Sequence, residues 1–167
     1  LKIELSCPQQ TGSSSQTLHL PLIGPHHADN AALAAAAALA LDVAPATIAT
    51  GLSRVRPGKH RGQLVELGGR RVLDDCYNAN PSSVSAALKA LGGLRQGGKA
   101  VAVLGDMLEL GPTETELHAT IGRLAATLEL KKLITLGERA RHIGSAATAL
   151  GCDAIHVDSP QAAAEAA

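Results

Sequence analysis

The sequence of 167 residues predicts an α/β protein with a mostly parallel, doubly wound sheet, and three observations carry that expectation. From Val72 onward, short apolar runs bounded by turn residues alternate with longer helical stretches, the order that strands joined by helical crossovers require. Ala100–Leu104 is a continuous apolar run, the pattern of a strand covered on both faces. Proline opens helical stretches at Pro81 and Pro160, where its missing N–H removes no helical bond. Right-handed crossovers between such strands give a Rossmann-like sheet.

Ahead of that alternation the pattern differs. Residues 1–23 alternate imperfectly (Leu1, Ile3, Leu5, then Leu18, Leu20) around Gln9–Ser15, which lacks apolar residues; this predicts a two-strand hairpin with a loose loop. Gly24-Pro25-His26-His27-Ala28-Asp29-Asn30 breaks the strand and leads into Ala31–Leu41, an Ala-rich helix apolar nearly all round, which is expected to be buried. Pro45 starts a second helix through Leu52, with Thr47 and Thr50 facing outward. Between Ser53 and Gly62 the chain turns polar and basic (Arg54, Arg56, Pro57, Gly58, Lys59, His60, Arg61), the composition of a linker. The expected division is therefore the end of one domain at residues 1–53 and a second domain at 54–167.

Gln63–Leu67 and Arg70–Leu73 flank Gly68-Gly69, a two-residue hairpin turn signal. Pro81–Leu91 places Val84, Ala87, Leu88 and Leu91 on one helical face. After Gly97-Gly98 come the strand Ala100–Leu104, a helix at Pro112–Leu128, a strand at Leu133–Leu136, a helix at Glu138–Leu150, a strand at Ala154–Val157 and a helix opened by Pro160.

Composition excludes several functions. Lys+Arg and Asp+Glu number 15 each, so there is no basic footprint for nucleic acid or for an anionic membrane. Tyr77 is the sole aromatic, which removes base stacking on aromatic platforms as a binding mode. Three cysteines, far apart and without a C-x-x-C pair, suggest neither a disulfide framework nor a zinc site and fit a reducing cytoplasm. The Ala/Leu stretch after Asn30 is shorter than the ~20 residues that span a bilayer. The chain begins at Leu1 rather than Met and closes on a helical run of alanines, so a piece of a longer protein is expected.

Two stretches carry chemistry. Val72-Leu73 runs into Asp74 and Asp75, then a polar loop, then Asn80-Pro81, an N-cap followed by proline at the first helical position. A strand-loop-helix junction of this kind lies at the carboxyl edge of an open sheet, where ligands bind. Carboxylates there suit ribose hydroxyls better than phosphate; the plainer alternative is a solvated loop and a helix start. Asp106 and Glu109, in Val103–Gly111, sit at another strand's carboxyl end, with simple solvation as the alternative. Cys76 has no evident histidine partner and reads as a packing thiol rather than a nucleophile. His118 reads equally as a packing histidine or a functional one.

Asp74-Asp75-Cys76-Tyr77-Asn78-Ala79-Asn80-Pro81, followed in order by Val103-Leu104-Gly105-Asp106-Met107-Leu108-Glu109-Leu110-Gly111, resembles the Mur ligase family. The resemblance implies an ATP-dependent amide ligase that forms an acyl phosphate on a UDP-N-acetylmuramoyl-tripeptide, which the amine of D-alanyl-D-alanine then attacks with loss of phosphate. It also implies ATP and Mg2+ as cofactors, a monomer, and a P-loop and metal-binding acid upstream of Leu1, so that the piece alone is expected to be inactive. Gly24–Asn30 matches a family pattern that places Asn30 and His26 at the adenine, His27 departing from it; a plain helix cap is the alternative for Asn30. Arg61 matches a nucleotide-contacting linker arginine, with Lys59 as the competing alignment. Asp75 matches a ribose contact, Tyr77, Asn78 and Asn80 line the nucleotide and acceptor side, and Asp106 and Glu109 face the incoming amine. The second domain is expected to close on its linker as a lid over the nucleotide. The rivals are another Mur-type ligase and a non-catalytic nucleotide-binding module; a dinucleotide oxidoreductase is weakened because no Gly-x-Gly-x-x-Gly opens a helix.

Overall fold

The computed structural model describes residues 1–9, 12–95 and 97–167, the side chains of 5–9, 12–14 and 16 excepted. The chain divides into two compact units, Leu1–Asp74 and Asp75–Ala167.

In the first unit, β1 (Lys2–Gln9) pairs antiparallel with β2 (Gly12–His19), from Lys2 opposite His19 to Gln9 opposite Gly12. The turn of this hairpin, at Gln10 and Thr11, lies outside the described residues, as does the side chain of Cys7. Most of the loop expected at Gln9–Ser15 is strand, because the ladder is made by main-chain groups and does not require apolar side chains.

Helix α1 (His26–Ala40) begins ahead of Ala31, with Pro25 at its N-cap. The expected burial of this helix does not occur: Ala31 and Ala35 are buried, while Leu33 is 71% and Leu41 78% exposed. Those two alanines, one turn apart, form the only buried stripe, and Ala31 packs with Leu18 and Leu20 of the hairpin. No described residue buries the opposite side. Helix α2 (Pro45–Ser53) turns Ile48 inward and leaves Thr47 and Thr50 exposed, as the pattern predicts. Strands β3 (Gln63–Leu67) and β4 (Arg70–Asp74) form an antiparallel hairpin. Gly68 and Gly69 turn it with φ of +58° and +74°, left-handed values that a side chain disfavours and a two-residue turn needs.

The second unit holds α3 (Pro81–Leu94), β5 (Val101–Leu104), a 3-10 turn at Gly111–Thr113, α4 (Glu114–Ala126), β6 (Lys132–Leu136), α5 (Arg141–Thr148), β7 (Ala154–Val157) and α6 (Pro160–Ala166). Strands β5, β6 and β7 lie side by side in that order and all parallel, so the α/β class with a parallel sheet is realised. Strand β4, the first of the expected alternation, pairs with β3 and stands outside this three-stranded sheet. The expectation that β5 is covered on both faces also fails: Ala102 is buried but Val103 is 50% exposed, since β5 is an edge strand with no described element over that side chain. The helix expected from Pro112 splits into the 3-10 turn and α4, and that expected from Glu138 starts at Arg141.

Because strand order follows chain order, right-handed crossovers put α4 and α5 on the same face, where they pack together. The core is aliphatic: Leu88, Ala102, Met107, Ile121, Ala125, Leu133, Ala140, Ile143 and Ala147. Gly122 of α4 lies against the main chain of α5 at Ile143, a close approach that only a residue without Cβ allows.

Candidate functional site

In the first unit, the linker closes into a tight turn before β3. The Arg61 N–H donates to the Gly58 carbonyl at 3.1 Å, and His60 takes a left-handed φ of +58°. His60 is held from two sides: its Nδ1 lies 2.7 Å from Asp74 Oδ2 at the end of β4, and its N–H donates to Gln63 Oε1 at 3.3 Å. Asp74 is thereby engaged within its own unit. Arg61 and Lys59 are both exposed beside this pinned residue.

The linker also approaches the start of α1. A Cβ on Gly62, whose φ is +67°, would lie 4.0 Å from His27 Nε2. The His27 ring is 4.1 Å from that of His26, whose Nδ1 is buried and finds no hydrogen-bond partner among the described residues. An orphaned buried nitrogen is costly unless a ligand or water meets it. Asn30 is exposed one turn into the helix, beyond the Pro25 cap, so the capping alternative is removed. The first unit therefore brings the start of α1 and the Arg61 turn together.

In the second unit, Asp75 is half-buried and Tyr77 is 62% exposed. Asn78 Oδ1 accepts the Ala79 N–H at 2.9 Å. Asn80 caps α3 in a reciprocal box, accepting the Ser83 N–H at 2.9 Å while its own N–H donates to Ser83 Oγ at 3.1 Å. The plainer reading of Asn80 is thus realised, and its amide oxygen is occupied by the cap.

The loop after β5 is more heavily tied. Asp106 Oδ1 accepts the Ala140 N–H at 2.7 Å, and Arg139 reaches Asp106 Oδ2 at 4.0 Å. The Arg139 Nε donates to Glu114 Oε2 at 2.7 Å. The hydrogen bond and charge of Glu114, then the charge of Asp106, hold the Arg139 guanidinium above its already high ordinary value against the effect of burial. Met107 is fully buried, and its N–H donates to Nε2 of the equally buried His118 at 3.0 Å. Next to it Leu108 is 59% exposed. Glu109 is exposed and takes a left-handed φ of +61°, an uncommon conformation for a residue with a side chain. Of the two acidic candidates in this loop, Asp106 is an anchor and Glu109 is the one displayed.

Sequence reasoning missed His60, Glu114 and Arg139 and left His118 undecided. For His118 a signal existed: it shares a helical face with Ile121, Gly122 and Ala125, all buried. For the other three, the partners are far apart in sequence. Cys76 is exposed and Cys152 half-buried, its thiol pushed up by burial and then by Asp153. Among the described residues, no helix is long and apolar enough to cross a membrane.

The family model described as Mur ligase, glutamate ligase domain, matches residues 60–167. The chain is 34% identical over 132 residues to the UDP-N-acetylmuramoyl-tripeptide--D-alanyl-D-alanine ligase of Bacillus subtilis (strain 168), covering 78% of this chain and 29% of that protein. It is 39% identical over 126 residues to the ligase of the same description from Mycobacterium tuberculosis (strain CDC 1551 / Oshkosh), covering 72% and 25%. Among solved structures, crystal structure I of MurF from Acinetobacter baumannii superimposes with a TM-score of 0.79 at 33% identity, over 97% of this chain and 34% of that one. MurF ligase from Thermotoga maritima in complex with ADP shares the fold, with a TM-score of 0.72 at 23% identity over 93% and 34%. The chain spans 25% to 29% of the length of these two curated relatives.

Proposed function

Because the chain belongs to the Mur ligase family, through the glutamate ligase domain matched at residues 60–167, we propose that it is part of an ATP-dependent amide ligase joining D-alanyl-D-alanine to a UDP-N-acetylmuramoyl-tripeptide. The observation that carries this reading is the identity of 34% and 39% to two curated ligases of that description. In this reaction ATP phosphorylates the terminal carboxylate of the tripeptide, the dipeptide amine attacks the acyl phosphate, and inorganic phosphate leaves.

We place the domain boundary in the linker at 54–62, with residues 1–53 ending an ATP-binding domain and 54–167 belonging to the ligase domain. Asn30 and His26 serve the adenine: an amide matches its donor and acceptor edge, and the orphaned Nδ1 of His26 fits a polar ligand atom. Arg61, on a turn pinned by His60, offers a planar guanidinium to the phosphates or ribose. Asp75 accepts from the ribose hydroxyls. Tyr77, Asn78 and Glu109 serve the acceptor side, where Glu109 suits an ammonium group, while Asn80 and Asp106 hold the loops that carry them.

Magnesium accompanies the nucleotide and neutralises phosphoryl charge. Asp74 and Asp106 are each engaged by a protein partner, so neither is assigned to the ion. We further infer a monomeric, cytoplasmic enzyme; the three cysteines without a C-x-x-C pair support a reducing compartment.

Phosphate release by the complete protein containing this chain, given ATP, the nucleotide-linked tripeptide and each candidate amine in turn, tests the reading. Release that depends on D-alanyl-D-alanine is expected. Release with a single amino acid instead assigns another Mur-type ligase, and no release with any amine leaves a non-catalytic module.

A further inference from the structure

We propose that His118 is a positioning residue for the acceptor side: it fixes the loop after β5 so that the Glu109 carboxylate is held out to the incoming amine. The proposal rests on the ligase reading above.

His118 is fully buried on α4, and both of its ring nitrogens are used. Nε2 faces the Met107 N–H at 3.0 Å, a group that only donates, so Nε2 carries no proton. Nδ1 lies 2.7 Å from the Glu114 carbonyl, a group that only accepts, so Nδ1 carries the proton. Two main-chain partners thus fix a neutral ring in one tautomer. The imidazole bridges the loop to the first turn of α4.

The position is otherwise an apolar one. Ile121, Gly122 and Ala125 share its face of the helix, and a leucine there would pack while leaving the Met107 N–H buried and unpaired. What the imidazole adds is the place of that amide. Asp106 is fixed to Ala140, and Met107 is fixed to His118. Two residues after this double anchor, Glu109 holds its left-handed backbone with its side chain exposed, at the carboxyl end of a parallel strand where ligands bind. Such a conformation costs a residue with a Cβ and persists where its surroundings dictate it. The chemistry displayed is a carboxylate for the ammonium of an amine acceptor.

The test uses the complete ligase with two substitutions at one site. His118→Gln puts an amide oxygen close to where Nε2 lay and keeps an acceptor for Met107. His118→Asn reaches only toward Glu114 and leaves the Met107 N–H unpaired. Hydrogen exchange at the Met107 amide should stay slow in the parent and in His118→Gln and quicken about tenfold or more in His118→Asn. The KM for D-alanyl-D-alanine should rise roughly tenfold in His118→Asn and within about threefold in His118→Gln, with the KM for ATP within about twofold in both. Glu109→Gln, at an exposed position that places no demand on folding, should raise the acceptor KM alone and leave Met107 exchange slow. Equal losses in the Gln and Asn variants, parallel changes in both KM values, or an unchanged acceptor KM in Glu109→Gln would overturn the proposal while the parent still ligates the dipeptide. A parent that releases no phosphate with the dipeptide overturns the ligase reading as well.

Discussion

Gly122→Ala tests whether the α4–α5 contact sets the geometry of the second unit. A Cβ on residue 122 would stand 2.2 Å from the Ile143 carbonyl oxygen and 3.0 Å from the Ala146 Cβ. Ordinary carbon-to-oxygen contact is about 3.3 Å, so the helices must part by roughly 1 Å. The opposing atom is main chain and cannot rotate away. Parting by that amount forfeits roughly a quarter to a half of the dispersion attraction across the interface. Ile121, Ala125, Ile143 and Ala147, all 2% exposed or less, share that loss. Overpacking of this kind costs up to about 3 kcal/mol, and the better helix propensity of alanine returns about 1 kcal/mol, leaving a net loss of about 2 kcal/mol. Thermal unfolding of the 167-residue chain should register a fall of about 4–8 °C in the midpoint. Gly93→Ala is the internal control: residue 93 is exposed on α3 with nothing within 4 Å of a built Cβ, and the substitution should stabilise by about 0.5–1 kcal/mol. If Gly122→Ala is as stable as Gly93→Ala, the close packing inferred for these helices is wrong.

Three further outcomes follow from the site. Asp75→Ala should raise the KM for ATP about tenfold in the complete protein with an unchanged unfolding midpoint, because a half-buried loop carboxylate supports little packing; unchanged nucleotide kinetics would remove Asp75 from the ribose. Arg61→Ala should weaken ATP binding, measured by titration calorimetry, more than Lys59→Ala does, since Arg61 directly follows the residue pinned to Asp74; the reverse order would transfer the role to Lys59. Alkylation at pH 8, followed by mass spectrometry, should modify Cys152 more slowly than the exposed Cys76. Burial, then Asp153, raises the Cys152 thiol above its ordinary value and so lowers its reactive thiolate fraction, and its rate should climb steeply as pH rises into the range where it ionises.

What the sequence revealed and what it hid divide along a physical line. Local rules worked. Gly68-Gly69 gave a tight hairpin, Asn80-Pro81 gave a capped helix, and the apolar period of Ala154–Val157 gave a strand with those bounds. Each depends on residues within a few positions of one another. Burial was harder to read, because it depends on what lies opposite: an Ala-rich α1 looks buried from its composition, yet only Ala31 and Ala35 are buried, and of these Ala31 joins the hairpin cluster. Val103 was misread for the same reason, since an apolar run does not say whether its strand lies at an edge. The polar ties were the least legible. Arg139 meets Glu114 across 25 positions and His60 meets Asp74 across 14, and no periodicity links such pairs.

Those hidden ties explain why two acidic loops that look redundant in sequence are not. In the first, Asp74 is bound to His60, which leaves its neighbour Asp75 as the carboxylate proposed above for the ribose. In the second, Asp106 is bound to Ala140 and approached by Arg139, which leaves Glu109 displayed. Each loop thus ties one carboxylate into its own shape, and the proposed function gives the other to a ligand. A carboxylate already accepting from an N–H or cation is worth less to an incoming hydroxyl or ammonium, since the donors compete for the same lone pairs. The same competition ranks the candidates: substitution of Asp74 should act chiefly on stability, substitution of Asp106 on stability and, by loosening the loop that carries Glu109, on the acceptor KM, and substitution of Asp75 or Glu109 chiefly on KM. A set of four Asn or Gln variants, scored by unfolding midpoint and by the two substrate KM values, separates the classes. Should Asp74→Asn change a KM, or Asp106→Asn change the KM for ATP, at full stability, the division of labour between anchor and ligand would be refuted.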